Sequence, residues 1–203
     1  MTLPVLTALA IIFILWINYE IHKTSKQLKE DSGNFWEREK ASNLSRRTDI
    51  TSLNYITIST QRLPMEDSDD LTVNSYRDTI LSLSGQKAIN LSNLTNTELK
   101  LQYGVANLNQ LTDYDNNYTV LVSILQKWAE RLSRLELYHE ATAVLEYAVH
   151  CHTDVGKTYL LLAQIYNQLN NQDKIKSLIN IIKDTKLYDK DKLISDLTKI
   201  MNF

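Results

Sequence analysis

The stretch YLLLAQIYNQLNNQDKIKSLINII, Tyr159 to Ile182, decides the fold. Tyr159, Leu162, Ala163 and Tyr166 recur at the spacing of one helix face, Asn170-Asn171-Gln172-Asp173 makes a polar turn, and Ile175, Ile179 and Ile182 form a second face. Shifted by 34 residues, the chain matches itself: Ala129 aligns with Ala163, Leu132 with Tyr166, Ala141 with Ile175, Leu145 with Ile179, and Ala148 with Ile182. Small residues such as Ala129 and Ala163 let two helices approach, and the larger apolar ones fill the groove between them. Two helix pairs of this kind cover about residues 119 to 186. Leu193, Leu197 and Ile200 then predict a capping helix that starts at Asp189.

Composition agrees with an all-α chain. Of 203 residues 43% are hydrophobic, yet there are only four glycines and two prolines, too few for the many tight turns of a β-sandwich or barrel. The single cysteine, Cys151, excludes an intramolecular disulfide and any zinc site that needs two thiolates.

The Tyr159…Leu162-Ala163…Tyr166 run resembles the first-helix pattern of tetratricopeptide-like (TPR-like) repeats, and Ala141…Leu145…Ala148 resembles the second-helix pattern of the preceding unit. The chain departs from that family in having alanine where the family has glycine, in both units, and no proline closing either repeat. The resemblance implies a concave groove lined by the first helices that holds extended peptides or partner helices. By position it would include Val122, Leu125, Glu130 and Arg134 in one unit and Tyr159, Gln164 and Asn167 in the next. The paired lysine and asparagine positions that would clamp a C-terminal carboxylate are missing, which argues against a chaperone-tail type of binding.

Upstream, Val73, Tyr76, Ile80 and Leu83 predict a helix closed by Gly85, and Thr95 with Glu98 forms a capping box opening a short helix that ends near Tyr103 and Gly104. Leu53 to Leu63 (LNYITISTQRL) reads as the one extended segment, closed by Pro64; it packs across the helical body or meets a partner by its edge. Asn34 and Glu37 resemble a capping pair that restarts a helix after Gly33. Gly156 is expected inside a repeat helix.

At the N-terminus, Leu3 to Ile17 (LPVLTALAIIFILWI) carries no charge and only Thr7 as a polar side chain. A helix from Leu3 to Ile21 rises ~1.5 Å per residue and crosses most of a ~30 Å hydrocarbon layer. Trp16 and Tyr19 fall where an interfacial aromatic belt lies. No basic region precedes the run and no small-x-small site follows it, so an anchor is favoured over a cleaved signal peptide, with a buried core helix as the other alternative. Lys23, Lys26, Lys29 and Arg38 follow the run, which places the body in the cytoplasm. The expected organisation is a transmembrane anchor over 1–21, a juxtamembrane helical stalk over 22–48, a mixed connecting region over 49–118 and the TPR-like repeats with their cap over 119–203.

Net charge is −2, and even the most basic segment, residues 155 to 203, holds 8 basic against 5 acidic side chains. That density excludes the electrostatic footprint of a nucleic-acid binder. Gly156-Lys157-Thr158 resembles the end of a phosphate-binding loop, but Cys151 stands where its first glycine is required. His150-Cys151-His152 places three metal-ligating types side by side, a spacing from which adjacent residues rarely converge on one ion. No cofactor, metal or catalytic constellation is expected. The favoured class is a membrane-anchored protein-protein interaction module with an unidentified protein partner. The alternatives are a structural membrane oligomer, or a metal protein or enzyme centred on His150, Cys151 and His152.

Overall fold

The computed structural model describes residues 3–185 and 187–201, the side chains of 3–11, 15 and 25–32 excepted. Helix accounts for 69% and strand for 2%, so the chain is all-α. It divides into two compact units, Met1–Ser52 with Leu94–Asn109, and Leu53–Asn93 with Gln110–Phe203.

The first unit is built on α1 (Leu3–Asn43), a helix of 41 residues. The restart expected after Gly33 is absent: α1 runs through it, and a glycine inside a long helix costs only about 1 kcal/mol. The segments expected as anchor and stalk therefore lie on one continuous helix rather than two. Among the described residues no helix is long and apolar enough to cross a membrane, and most of the Leu3–Ile17 side chains lie outside the described set. Ile12, Phe13, Ile14, Trp16, Tyr19 and Ile21 are all exposed.

A short helix, residues Asn96–Tyr103, packs on α1 and is opened by the expected capping box: the Thr95 hydroxyl accepts from the Glu98 N–H, and the Glu98 carboxylate accepts from the Thr95 N–H. On α1, Glu39 accepts from the Thr97 hydroxyl at 2.7 Å and from the Lys100 ammonium. Lys100 and then Thr97 hold the Glu39 carboxyl below its ordinary range. Asn107 is fully buried, and its amide donates to the carbonyls of Thr48 (2.6 Å) and Tyr103 (2.8 Å) while its oxygen accepts from Arg47 Nε at 3.1 Å. Every polar atom of that side chain thus has a partner, as burial demands.

In the second unit the expected helix is α2 (Leu71–Leu83), capped by Asp70, whose carboxylate accepts from the N–H groups of Thr72 and Val73 and from the Arg131 guanidinium. Gly85 follows with φ +76. The extended segment is less regular than expected. Only β1 (Ile56–Thr57) is strand, paired antiparallel with β2 (Lys87–Ala88) in the register Ile56↔Ala88. Beyond β1 the segment lies across the helical body: Ile58 and Leu63 are buried, and the Ser59 N–H donates to the Tyr147 hydroxyl at 2.9 Å.

The remaining helices follow in series: α4 (Leu108–Arg134), α5 (Tyr138–His150), α6 (Gly156–Gln168), α7 (Gln172–Asp184) and α8 (Lys190–Met201), with α3 denoting Asn96–Tyr103. Gly156 lies in α6 as expected, as its first residue. Trp128, Ala129, Ala141, Leu145, Ala148, Leu162, Ala163, Ile175 and Ile182 are buried, with Leu193 and Leu197 of α8 closing the far end of the core.

The turns repeat in geometry as well as sequence. After α4, Leu137 N–H donates to the Leu132 carbonyl (3.0 Å) and Glu136 N–H to Ser133 (3.1 Å); after α6, Asn171 N–H donates to Tyr166 (2.8 Å) and Asn170 N–H to Asn167 (3.0 Å). Glu136 (φ 60) and Asn170 (φ 57) are left-handed, and each pair of donors is the Schellman closure of a helix end. These equivalent atoms lie 34 residues apart, as do the first residues of α5 and α7. A third closure of the same kind ends α5, with His152 (φ 53) left-handed and Thr153 N–H donating to Ala148 at 3.1 Å.

Candidate functional site

The seven residues expected to line the first-helix groove do not share a surface. Val122, Leu125 and Tyr159 are buried in the core, and the Tyr159 hydroxyl donates to the Thr153 carbonyl at 2.9 Å. Their apolar bodies fill the space between helices, so no ligand can reach them. Glu130 and Asn167 are half-buried and already partnered: Glu130 accepts from Gln126 Nε2 at 2.9 Å and Asn167 from Gln172 Nε2 at 3.1 Å. Only Arg134 and Gln164 are exposed.

An apolar groove is present instead on the side of the second helices, between α5 and α7 and floored by α6. It is a cavity of about 440 Å³ lined by Val149, Leu162, Leu178 and Ile181, with Glu146, Tyr166 and Lys174 among its polar members and His150 and His152 also on its wall. Glu146 Oε1 accepts from the Tyr166 hydroxyl at 2.7 Å and from Lys174 Nζ at 2.8 Å, and Lys174 Nζ lies 5.1 Å over the Tyr166 ring. Burial drives the Glu146 carboxyl upward, but Lys174 and Tyr166 outweigh it and hold it below the ordinary carboxylate range. Burial first, and then the Glu146 carboxylate, push the Tyr166 hydroxyl well above its usual range. The triad is therefore ionic at one end and neutral at the other, and it fixes the groove's mouth. Volumes of several hundred Å³ with few polar groups are typical of ligand sites.

Ile181 is the residue that sequence reasoning passed over. It is 44% exposed and falls off the Ile175, Leu178, Ile182 stripe that α7 buries. An apolar residue outside the buried stripe of an amphipathic helix was the available signal.

The His150-Cys151-His152 run does not converge. Cys151 is buried, and burial pushes its thiol up to about 11, so it is neither thiolate nor nucleophile at neutral pH. His150 and His152 are exposed on either side of it. Among the described residues no group of three His, Cys, Asp or Glu side chains is placed to hold a metal ion.

The fold defines an all-α protein. In comparisons with known proteins, no family model, no curated protein and no solved structure matches this chain.

Proposed function

We propose that the protein is a membrane-anchored protein-protein interaction module whose C-terminal helices form a TPR-like array. The observation that carries this reading is the 34-residue recurrence of helix pair and turn, Glu136 with Asn170 and Leu137 with Asn171. Stacked hairpins of this kind bury a continuous core and leave long helix faces for other chains. The anchor is supported by the uncharged Leu3–Ile17 run and by Ile12, Phe13, Ile14 and Trp16, whose exposed apolar area calls for lipid or protein cover. The lysines that follow the run favour a cytoplasmic body. Fixing both partners at one membrane raises their effective concentration and makes a shallow surface sufficient.

Photocrosslinking tests the reading. A photoreactive amino acid placed at Gln164 or Ile181 of the full chain gives discrete adducts with one protein in its native cells, and the same probe at exposed Asp173 gives few. Equal labelling at all three positions, or none, overturns it.

A further inference from the structure

A second cavity, of about 450 Å³, lies beside the β1 segment, between it and the end of α5, wholly within the second unit. Arg62, His150 and His152 are its charged or chargeable members, Asn54, Ser59 and Gln61 add polar groups, and Tyr55 and Tyr147 add rings. No carboxylate lines it, although acidic residues outnumber basic ones in the chain, 24 to 22.

The floor is fixed and neutral. Tyr147 accepts the Ser59 N–H at 2.9 Å, and Cys151 lines the same wall of the cavity. Burial holds the Tyr147 hydroxyl up at about 12 and the Cys151 thiol at about 11, so neither adds negative charge. Arg62 makes no ion pair among the described residues, and the same is true of His150 and His152. The other basic cavity, lined by Lys127, Arg131 and Arg134, differs here: Arg131 is spent on Asp70, and Arg134 faces Glu130 at 3.8 Å.

The geometry points to a binding site for a small phosphorylated organic molecule, its phosphate held by Arg62, His150 and His152 and its body against Tyr55 and Tyr147. A guanidinium presents a fork of donors that matches two phosphate oxygens, and imidazole N–H groups from two further positions suit the remaining oxygens of a tetrahedral anion. The volume exceeds what an inorganic anion fills, which leaves room for an organic body. This site goes beyond the interaction surface and does not depend on it, although His150 and His152 border both cavities.

Calorimetric titration of the full chain with phenyl phosphate and, separately, with inorganic phosphate tests the proposal. Both bind at one site, phenyl phosphate more tightly. Arg62→Gln weakens phenyl phosphate by about tenfold to a hundredfold, the range of one charge-assisted hydrogen-bonding group. His150→Ala with His152→Gly weakens it further, the glycine keeping the left-handed turn. Lys127→Gln leaves it unchanged. All substituted side chains are exposed, so the variants keep the parent's circular dichroism and melting temperature. Absence of saturable binding by either probe, or binding that survives Arg62→Gln, overturns the site; so does a loss caused by Lys127→Gln instead.

Discussion

Gly104→Ala is the substitution that the first unit cannot absorb. Gly104 has φ +85 and ψ 148, a region essentially closed to residues with a side chain. A Cβ there would overlap the Arg46 carbonyl oxygen and lie 2.6 Å from the Arg46 carbonyl carbon and 2.7 Å from Arg47 Cα. These are backbone atoms and cannot rotate away. Backbone strain of about 1–3 kcal/mol adds to overpacking of about 1–3 kcal/mol, so the expected cost is roughly 3 kcal/mol or more. Native-state hydrogen exchange reads it at three amides: Thr48 (donating to Tyr103), Gly104 or its replacement (to Lys100) and Asn107 (to Gly104). Protection there should fall about a hundredfold or more, since each 1.4 kcal/mol is a factor of ten. Gly85→Ala is the comparison, because Gly85 has φ +76 but nothing within 4 Å of a new Cβ, and it should cost only roughly 1–2 kcal/mol. Unchanged exchange at the three amides in Gly104→Ala, or equal losses in the two variants, would refute the steric reasoning.

Glu136 is a left-handed residue with a side chain, so Glu136→Gly should raise stability by roughly 0.5–1 kcal/mol, seen as a higher melting temperature, whereas Asn170→Gly, where asparagine already tolerates that conformation, should change it less. Ile175→Ala removes a fully buried side chain and should cost about 2–5 kcal/mol in urea denaturation. Burial raises the Tyr147 and Tyr159 hydroxyls to about 12. The folded state therefore keeps protons that the unfolded state loses near pH 10, and stability that is complete below pH 10 declines as pH rises toward 12. Melting temperature followed from pH 9 to 12 should fall along that window, less steeply in Tyr159→Phe. In acid the sign reverses for Asp70, whose carboxyl is lowered by Arg131 and then by the Val73 N–H: its contribution is present above the ordinary carboxylate range and is lost as pH falls through the folded value, a loss that Asp70→Asn abolishes.

The features legible in the sequence are those that short-range chemistry determines. Thr95 and Glu98 satisfy each other three residues apart, Gly85 and Gly104 occupy positive φ, and the 34-residue spacing places α5 and α7. Glycine proved an incomplete guide to turns, because three helix ends close on Glu136, His152 and Asn170 through backbone hydrogen bonds alone. Gly33 misled in the other direction: a capping pair near a glycine does not end a helix when the flanking residues continue it. The groove was misplaced for a different reason. Val122, Leu125 and Tyr159 look like surface anchors when one helix is considered, but neighbouring helices cover them, and only the packed array shows that Ile181 is left open. The Arg62 cavity was illegible for the same reason, since Arg62 and His150 are brought together by the way the β1 segment crosses α5.

The central claim joins an anchor to a binding surface, and one measurement reads both. With a photoreactive residue at Ile181, adduct yield is compared in membrane and soluble fractions for the full chain and for a chain lacking residues 1–21. The full chain should fractionate with membranes and give a single protein adduct, and the shortened chain should become soluble with the adduct reduced about tenfold or more, as loss of co-localisation implies. A full chain found in the soluble fraction, or an adduct equally abundant without residues 1–21, would contradict it.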